Sequence, residues 1–199
     1  MSSLPVVSDI ISLHRKYAPH DYAYDLVMTH CEIVWQIAEQ LIIKSNLDVN
    51  PDLIRDACLL HDIGVYRLYL PNGEIDHKNY IQHGIRGYEL LKAEGFTEKI
   101  CRFALCHTGV GLTKHDVIAQ ELPLPNRDYV AKSTEERLVM YADKFHSKTT
   151  PPKLMSVEAY RQYTSQFNDQ NGARFDKLIA EFGEPDLAPF AKKYNLEID

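Results

Sequence analysis

In the segment ACLLHDIG, residues 57–64, an apolar run leads directly into the adjacent polar pair His61 and Asp62. Asn50 and Pro51 stand before the run as an N-cap and a first helical residue. The segment is therefore predicted to be a helix that carries two side chains of the metal-ligand type at its end.

In three other predicted helices an apolar stripe also continues into a polar side chain, and in a fourth His83 lies near the start, slightly off the stripe. Together with the HDIG pair, the candidate ligands are His30, His61, Asp62, His83, His107 and Asp143. A single histidine of this kind is usually a core residue with one hydrogen-bond partner. A buried carboxylate, however, needs a cation. One shared metal cluster accounts for all six residues, whereas six separate core explanations need six separate partners.

The candidate ligands also define the chemistry. Imidazole and carboxylate groups suit iron or manganese, and also nickel, cobalt or zinc. A carboxylate such as that of Asp62 can bridge two metals, and metal pairs roughly 3.5–4 Å apart activate water for hydrolysis. We therefore predict two divalent transition-metal ions, with His61 and Asp62 at the catalytic centre. No thiolate is required, so the pattern does not favour a structural zinc site.

The remaining pattern is helical, because no stretch alternates polar and apolar residues over six positions. We predict an all-α bundle, with a metal-dependent hydrolase domain over 1–150 and further helices, 151–199, packed on the same domain. Capping boxes are predicted at Thr113 and at Ser133, and residues 65–79 are predicted to be a loop. The predicted helices span about 22–45, 51–62, 80–93, 156–167, 172–182 and 185–194.

Composition sets limits on the function. The 199 residues are 45% hydrophobic and 25% charged, which is typical of a globular protein. The net charge of -6 does not favour an extended nucleic-acid surface, whereas a small phosphorylated substrate is compatible with it. The N-terminal sequence MSSLPVVSDI lacks a signal-peptide pattern, and no apolar run could span a membrane. We therefore expect a cytoplasmic protein, and its helical surface would permit a homodimer.

The motifs resemble those of a known family. His30, the ACLLHDIG segment and YADK at 141–144 are similar to the HD superfamily of metal-dependent phosphohydrolases over about residues 25–150. HGIRGYELL at 83–91 and CHTGVG at 106–111 resemble additional histidine segments of its dinuclear branch. That branch includes diadenosine tetraphosphate hydrolases and cyclic-dinucleotide phosphodiesterases.

The resemblance implies an all-α fold and a particular division of the ligands. It implies one metal bound by His30, His61, Asp62 and Asp143, and another bound by Asp62, His83 and His107. The dinuclear branch often has a lysine directly after HDIG, and this chain has Val65 there.

Other residues are candidates for substrate binding. Arg67, Lys78 or Lys144 could supply the missing positive charge. His77 competes with His83 as a ligand, or it lines the substrate entrance. His115 and His146 are expected behind the ligands or on the surface.

Three functions remain open from the sequence. The first is metal-dependent hydrolysis of a phosphate ester or anhydride, with a nucleotide or nucleotide derivative as the substrate. The second is a di-iron oxygenase of the HD type, which uses a similar ligand set. The third is a ligand-binding regulator without turnover, which the presence of all six ligand residues makes the weakest of the three.

Overall fold

A computed structural model describes residues 7–199 of the chain, so MSSLPV, part of the segment in which we predict no signal peptide, lies outside the described residues. The helices are α1 Val7–Tyr17, α2 Asp21–Ser45, α3 Pro51–Leu60, α4 His83–Ala93, α5 Glu98–Cys106, α6 Lys114–Ala119, α7 Thr134–Ala142, α8 Val157–Ser165, α9 Asp169–Phe182 and α10 Ala188–Tyr194. Three short 3-10 helices span Ile63–Leu68, His77–Gln82 and Asp143–Phe145. The prediction of an all-α fold is confirmed.

Helix α2 lies at the centre of the bundle. It packs against α3, α7 and α9, and Val34, Ile37 and Leu41 on its inner face are fully buried. None of the helices in the described residues has the length and apolar character needed to cross a membrane.

The C-terminal helices share the core of the rest of the chain. Phe175 and Phe182 of α9 are fully buried, and their rings lie 5.6 and 5.7 Å from the ring of Tyr141 on α7. The Tyr141 hydroxyl donates a hydrogen bond to the carbonyl of Gly183, which follows α9. These contacts join the last helices to the element that precedes Asp143.

The predicted helix starts are largely confirmed. The Asn50 side chain accepts a hydrogen bond from the Leu53 amide, and Pro51 begins α3. Thr113 forms the complete predicted capping box with its third following residue. At Ser133 only half of the box forms, because the Glu136 carboxylate pairs with Arg102 and accepts from the Lys132 amide, each at 2.6 Å, instead of from the Ser133 amide.

Two predictions about irregular segments were wrong. The predicted loop 65–79 contains parts of two 3-10 helices, because Val65 and Tyr66 are apolar enough to turn into the core. A small antiparallel ribbon pairs β1, His146–Ser147, with β2, Lys153–Leu154, although no sheet was predicted. Strands of two residues are too short to show alternation.

Close backbone packing fixes the position of α4. A Cβ atom at Gly64 would lie 2.1 Å from the carbonyl oxygen of His83 and 2.2 Å from the amide nitrogen of Gly87. A Cβ atom at Gly84 would lie 2.8 Å from the carbonyl oxygen of Ala104 on α5. The two glycines therefore let the HDIG turn, α4 and α5 approach closely enough to bring His83 near the other candidate ligands.

Gly64→Ala is expected to force the HDIG turn and α4 apart. Overpacking of this kind costs about 1–3 kcal/mol, and backbone atoms cannot move aside as a side chain can. We expect a lower urea midpoint and reduced Mn²⁺ content after metal loading. Gly95→Ala is the matched control, because the added Cβ would meet open space. The φ of 82° at this position is left-handed, so backbone strain alone destabilises this variant. Equal Mn²⁺ content in both variants would contradict the positioning role of Gly64.

Candidate metal centre

Ends of helices and one helix interior bring the six candidate ligands together. His30 lies within α2, whereas His61 and Asp62 follow the last residue of α3. His83 is the first residue of α4, and the remaining two ligands directly follow α5 and α7. Five of the six residues are buried, and the side chain of Asp143 is 13% exposed. The sequence-predicted set therefore meets at one interior location.

The first cluster consists of His30, His61 and Asp143. The Nε2 atoms of the two histidines are 3.2 Å apart. Asp143 Oδ1 lies 2.9 Å from Nε2 of His30 and 3.4 Å from Nε2 of His61. One atom of each side chain therefore faces a common point, which is an arrangement that could hold a metal ion.

The second cluster consists of His83 and His107, whose Nε2 atoms are 2.9 Å apart. Asp62 lies between the two clusters. Its Oδ1 atom is 3.8 Å from His83 Nε2 and 3.7 Å from His107 Nε2, whereas Oδ2 is 3.5 Å from His30 Nε2. Asp62 is therefore the residue that faces both clusters.

Hydrogen bonds fix the tautomers of the second cluster. Nδ1–H of His83 donates to the Tyr80 carbonyl at 2.6 Å, and Nδ1–H of His107 donates to the Ala104 carbonyl at 2.8 Å. Burial lowers the pKa of His83 to about 3 and also lowers that of His107, so both rings are neutral. Each neutral ring then has a lone pair on Nε2. Two lone pairs at 2.9 Å repel each other unless a cation lies between them, so the residues fit a metal ion.

The Asp62 carboxylate supports the same conclusion. It is fully buried, and neither oxygen accepts a well-formed hydrogen bond from the described residues. Burial acts to raise the pKa of Asp62, but Lys148 and His107 outweigh it and hold the pKa well below its usual range. Lys148 supplies one positive charge at Oδ2, whereas Oδ1 faces the rings of His83 and His107 and could bind a divalent ion there.

Lys144 was predicted to be a substrate-binding cation, and the structure places it inside the protein. Its ammonium donates to Asp143 Oδ2 at 2.5 Å and to the His107 carbonyl at 2.8 Å. The residue is 6% exposed, so its donors hold two ligand-bearing segments together instead of facing a substrate.

The other predicted substrate-binding residues lie at the surface. Arg67, His77 and Lys78 are exposed. The Arg67 guanidinium lies 5.0 Å from the centre of the Tyr17 ring. It also lines a surface cavity of about 490 Å³ whose lining includes none of the six candidate ligands. The structure does not join these three residues to the ligand clusters.

Two further residues at the site did not emerge from the ligand pattern. His146 is buried behind His30, with the Nδ1 atoms of the two rings 2.9 Å apart. Burial, with His30 and Lys148 nearby, lowers the pKa of His146 to about 2, so its Nδ1 can accept from Nδ1–H of His30. Lys148 lies 2.5 Å from Asp62 Oδ2. The place of His146 behind a ligand is one of the two positions expected from the sequence, whereas Lys148, which directly follows β1, was not predicted.

Known proteins share this sequence pattern. The sequence profile described as HD domain matches residues 27–148. The uncharacterized protein MJ0778 of Methanocaldococcus jannaschii is 37% identical over 120 residues, which make up 59% of this chain and 64% of that protein.

Two curated relatives are tRNA (cytidine(56)-2'-O)-methyltransferases. The protein of Picrophilus torridus is 34% identical over 125 residues, which cover 63% of this chain and 33% of the relative. The protein of Thermoplasma volcanium is 28% identical over 178 residues, with 89% and 47% covered. The chain thus spans less than two thirds of the length of each of these three relatives.

Solved structures share the fold. The HD domain of phosphodiesterase PgpH from L. monocytogenes matches with a TM-score of 0.51 and 18% identity, over 86% of this chain and 96% of that one. The same domain in complex with cyclic-di-AMP matches with a TM-score of 0.52 and 17% identity, over 96% and 99% of the two chains.

The position of Asp62 between the clusters yields a prediction about metal stoichiometry. We expect up to two transition-metal ions per chain in elemental analysis after mild loading. Asp62→Ala should reduce binding of both ions because both clusters lose a carboxylate, whereas His107→Ala should spare one ion. Asp25→Ala, which changes an exposed aspartate on α2, is the control. A maximum of one ion in the wild type, unchanged by His83→Ala and His107→Ala, would exclude a two-metal site.

His146 yields a separate prediction, because it orients a candidate ligand without facing the clusters. His146→Ala should weaken Mn²⁺ binding at the first cluster about 10–100-fold, as is typical when a partner behind a ligand is lost. Calorimetric titration of chelator-treated protein measures the effect. The exposed His115 gives the matched variant His115→Ala, which should bind Mn²⁺ as the wild type does. Equal affinity in both variants would show that His146 has no positioning role.

Proposed function

This chain belongs to the HD-domain family, and we propose on that basis that it is a metal-dependent phosphohydrolase of a small phosphorylated molecule. The observation that carries the proposal is the placement of Asp62 between two clusters of converging imidazoles. The predicted family and the helical fold are confirmed. A nucleotide or nucleotide derivative is the proposed substrate.

The chain's own residues divide the work of metal binding. His30, His61 and Asp143 would hold one divalent ion, His83 and His107 would hold the other, and Asp62 would contact both. Nitrogen and oxygen donors of this kind favour iron or manganese among the metals present in cells. When bound, such ions supply Lewis acidity and activate water for attack on phosphorus.

The surrounding residues keep the ligands in position. Backbone carbonyls hold the rings of His61, His83 and His107 in the tautomer that presents Nε2. The Nδ1 atom of His146 holds the His30 ring in the tautomer that presents Nε2. Lys144 ties Asp143 to the end of α5. The chain thereby keeps the proposed ligands oriented before any substrate arrives, which lowers the reorganisation needed for catalysis.

The comparisons support the class of substrate. A phosphodiesterase domain that shares the fold has been solved in complex with cyclic-di-AMP, a nucleotide. At 17% identity that likeness extends to the fold alone. Two relatives are methyltransferases, but the matched region makes up 33% and 47% of their length, and the histidine and aspartate clusters of this chain suit metal-activated water. A cytoplasmic location and a homodimer remain predictions for the whole protein.

The test of the proposed function is a nucleotide panel assayed with Mn²⁺- or Fe²⁺-loaded protein. We expect release of phosphate, or cleavage of a phosphodiester or anhydride, with at least one compound. The rate should be the same without O₂, because water attack needs no redox change. Chelation should stop the reaction, and Asp143→Ala should lower kcat/KM by about 10²–10⁴-fold, the range typical for loss of one directly acting group.

The control variant is Asp25→Ala, which changes an exposed carboxylate on α2 and should retain full activity. Substrate-dependent O₂ uptake without any hydrolysis would instead establish the oxygenase alternative. Binding of nucleotides without either reaction would establish a regulator.

A further inference from the structure

Lys148 is an inward-facing lysine at the rim of the metal centre. It directly follows β1, and its side chain is 15% exposed, while Thr149 and Thr150 beside it are exposed. The ribbon is anchored by the fully buried Leu154, which pairs with His146. The Lys148 side chain therefore extends from the exposed turn toward the interior and places its ammonium group there.

The ammonium of Lys148 contacts the residue shared by the two clusters. Its Nζ atom lies 2.5 Å from Asp62 Oδ2, and its charge acts to lower the pKa of the neighbouring Tyr80 hydroxyl. The Tyr80 ring stacks on the His83 ring, with centroids 4.9 Å apart. Burial acts to lower the pKa of Lys148, but Asp62, Tyr80 and Asp143 outweigh it, so the pKa is raised and the group is charged.

Other cations near the motifs are already engaged or point elsewhere. Val65 after HDIG is apolar and fully buried. Lys144 uses its donors on Asp143 and the His107 carbonyl, and Arg67 lies over the Tyr17 ring. Among the described lysines and arginines, Lys148 is the one that forms an ion pair with Asp62.

A divalent ion bound to Oδ2 of Asp62 would compete with Lys148 for that oxygen. Two cations at one carboxylate oxygen repel each other, and the repulsion is strong where water is scarce. A lysine side chain is flexible, so its ammonium can shift while the ribbon stays in place. An anionic group lying against the metals would then offer the displaced ammonium a partner of opposite charge.

We propose that Lys148 is the phosphate-binding cation of this site, released from Asp62 when a divalent metal binds and then paired with an oxygen of the substrate's phosphoryl group. The proposal rests on the proposed function and deepens it. It gives Lys148 the phosphate-binding role for which the HDIG segment of this chain has no cation. The Tyr80 hydroxyl lies beside this lysine.

The test separates charge from packing with Lys148→Gln, which keeps a hydrogen-bonding head group on a chain one bond shorter but removes the charge. Two affinities are measured by calorimetry, that of Mn²⁺ for chelator-treated protein and that of inorganic phosphate for Mn²⁺-loaded protein. We expect Mn²⁺ to bind at least as tightly as in the wild type, because a competing cation is gone. Phosphate should bind about tenfold or more weakly, because a charge-assisted hydrogen bond is lost.

Two further variants complete the design. Lys148→Arg keeps the charge and should retain most of the phosphate affinity. Lys153→Gln changes a lysine on the neighbouring strand whose ion pair is with Asp199, and it should change neither affinity. If Lys148→Gln is poorly folded by circular dichroism, Lys148→Arg still tests the proposal. Loss of phosphate binding in Lys148→Arg, together with tighter Mn²⁺ binding, would then overturn the proposal.

The outcomes also distinguish this proposal from the proposed function. Weaker Mn²⁺ binding in Lys148→Gln, or unchanged phosphate affinity, would show that Lys148 only supports Asp62 and would overturn the proposal even if nucleotides are hydrolysed. Failure of every nucleotide in the wild type, with phosphate binding dependent on Lys148, would overturn the proposed hydrolysis alone.

Discussion

The structure depends on one electrostatic constraint, the convergence of imidazole lone pairs and an ionised carboxylate in a space with little water. The Nε2 atoms of His83 and His107 are 2.9 Å apart, and the fully buried Asp62 faces both of them. Such groups repel one another or lack partners unless positive charge lies among them. The helices around them act as a rigid frame for this arrangement, because each contributes a ligand from its end or its buried face. The cost of gathering these groups is the physical reason to infer that cations bind here.

The hydrogen bonds at the ends of α3 and α5 both pair a free helix carbonyl and fix a histidine tautomer. The last carbonyls of a helix have no partner within it. At the end of α3 the Cys58 carbonyl accepts Nδ1–H of His61 at 2.7 Å, and at the end of α5 the Ala104 carbonyl accepts Nδ1–H of His107. The same bond that completes the helix end fixes the tautomer and directs Nε2 inward. A histidine just past a helix end is thus a more rigid ligand than one on a mobile loop.

The sequence predicted the helices and the meeting of the six ligand residues, because both leave a periodic pattern. Apolar stripes fixed the inner face of α2 and hence His30, and the cap at Asn50 fixed the start of α3. The pattern could not reveal Lys148, which directly follows a strand of two residues, and it left His146 open between a position behind the ligands and the surface. Nor could it show that Glu136 would pair with Arg102 on another helix, since a long-range ion pair has no local signature. Lys144 could not be placed correctly from its position as the last residue of the YADK motif, because its burial depends on how α5 packs against α7.

Charge balance connects the site to the kind of substrate proposed. If all four imidazoles bind metal as neutral ligands, the two carboxylates and two divalent ions would give the ligand shell a net positive charge of about two. Lys144 and Lys148 add further positive charge, whereas the protein as a whole carries a net charge of -6. A compact anion would therefore be stabilised at the centre and repelled by much of the remaining surface. This contrast favours a small phosphorylated molecule over a long nucleic acid, which would have to contact the acidic surface as well.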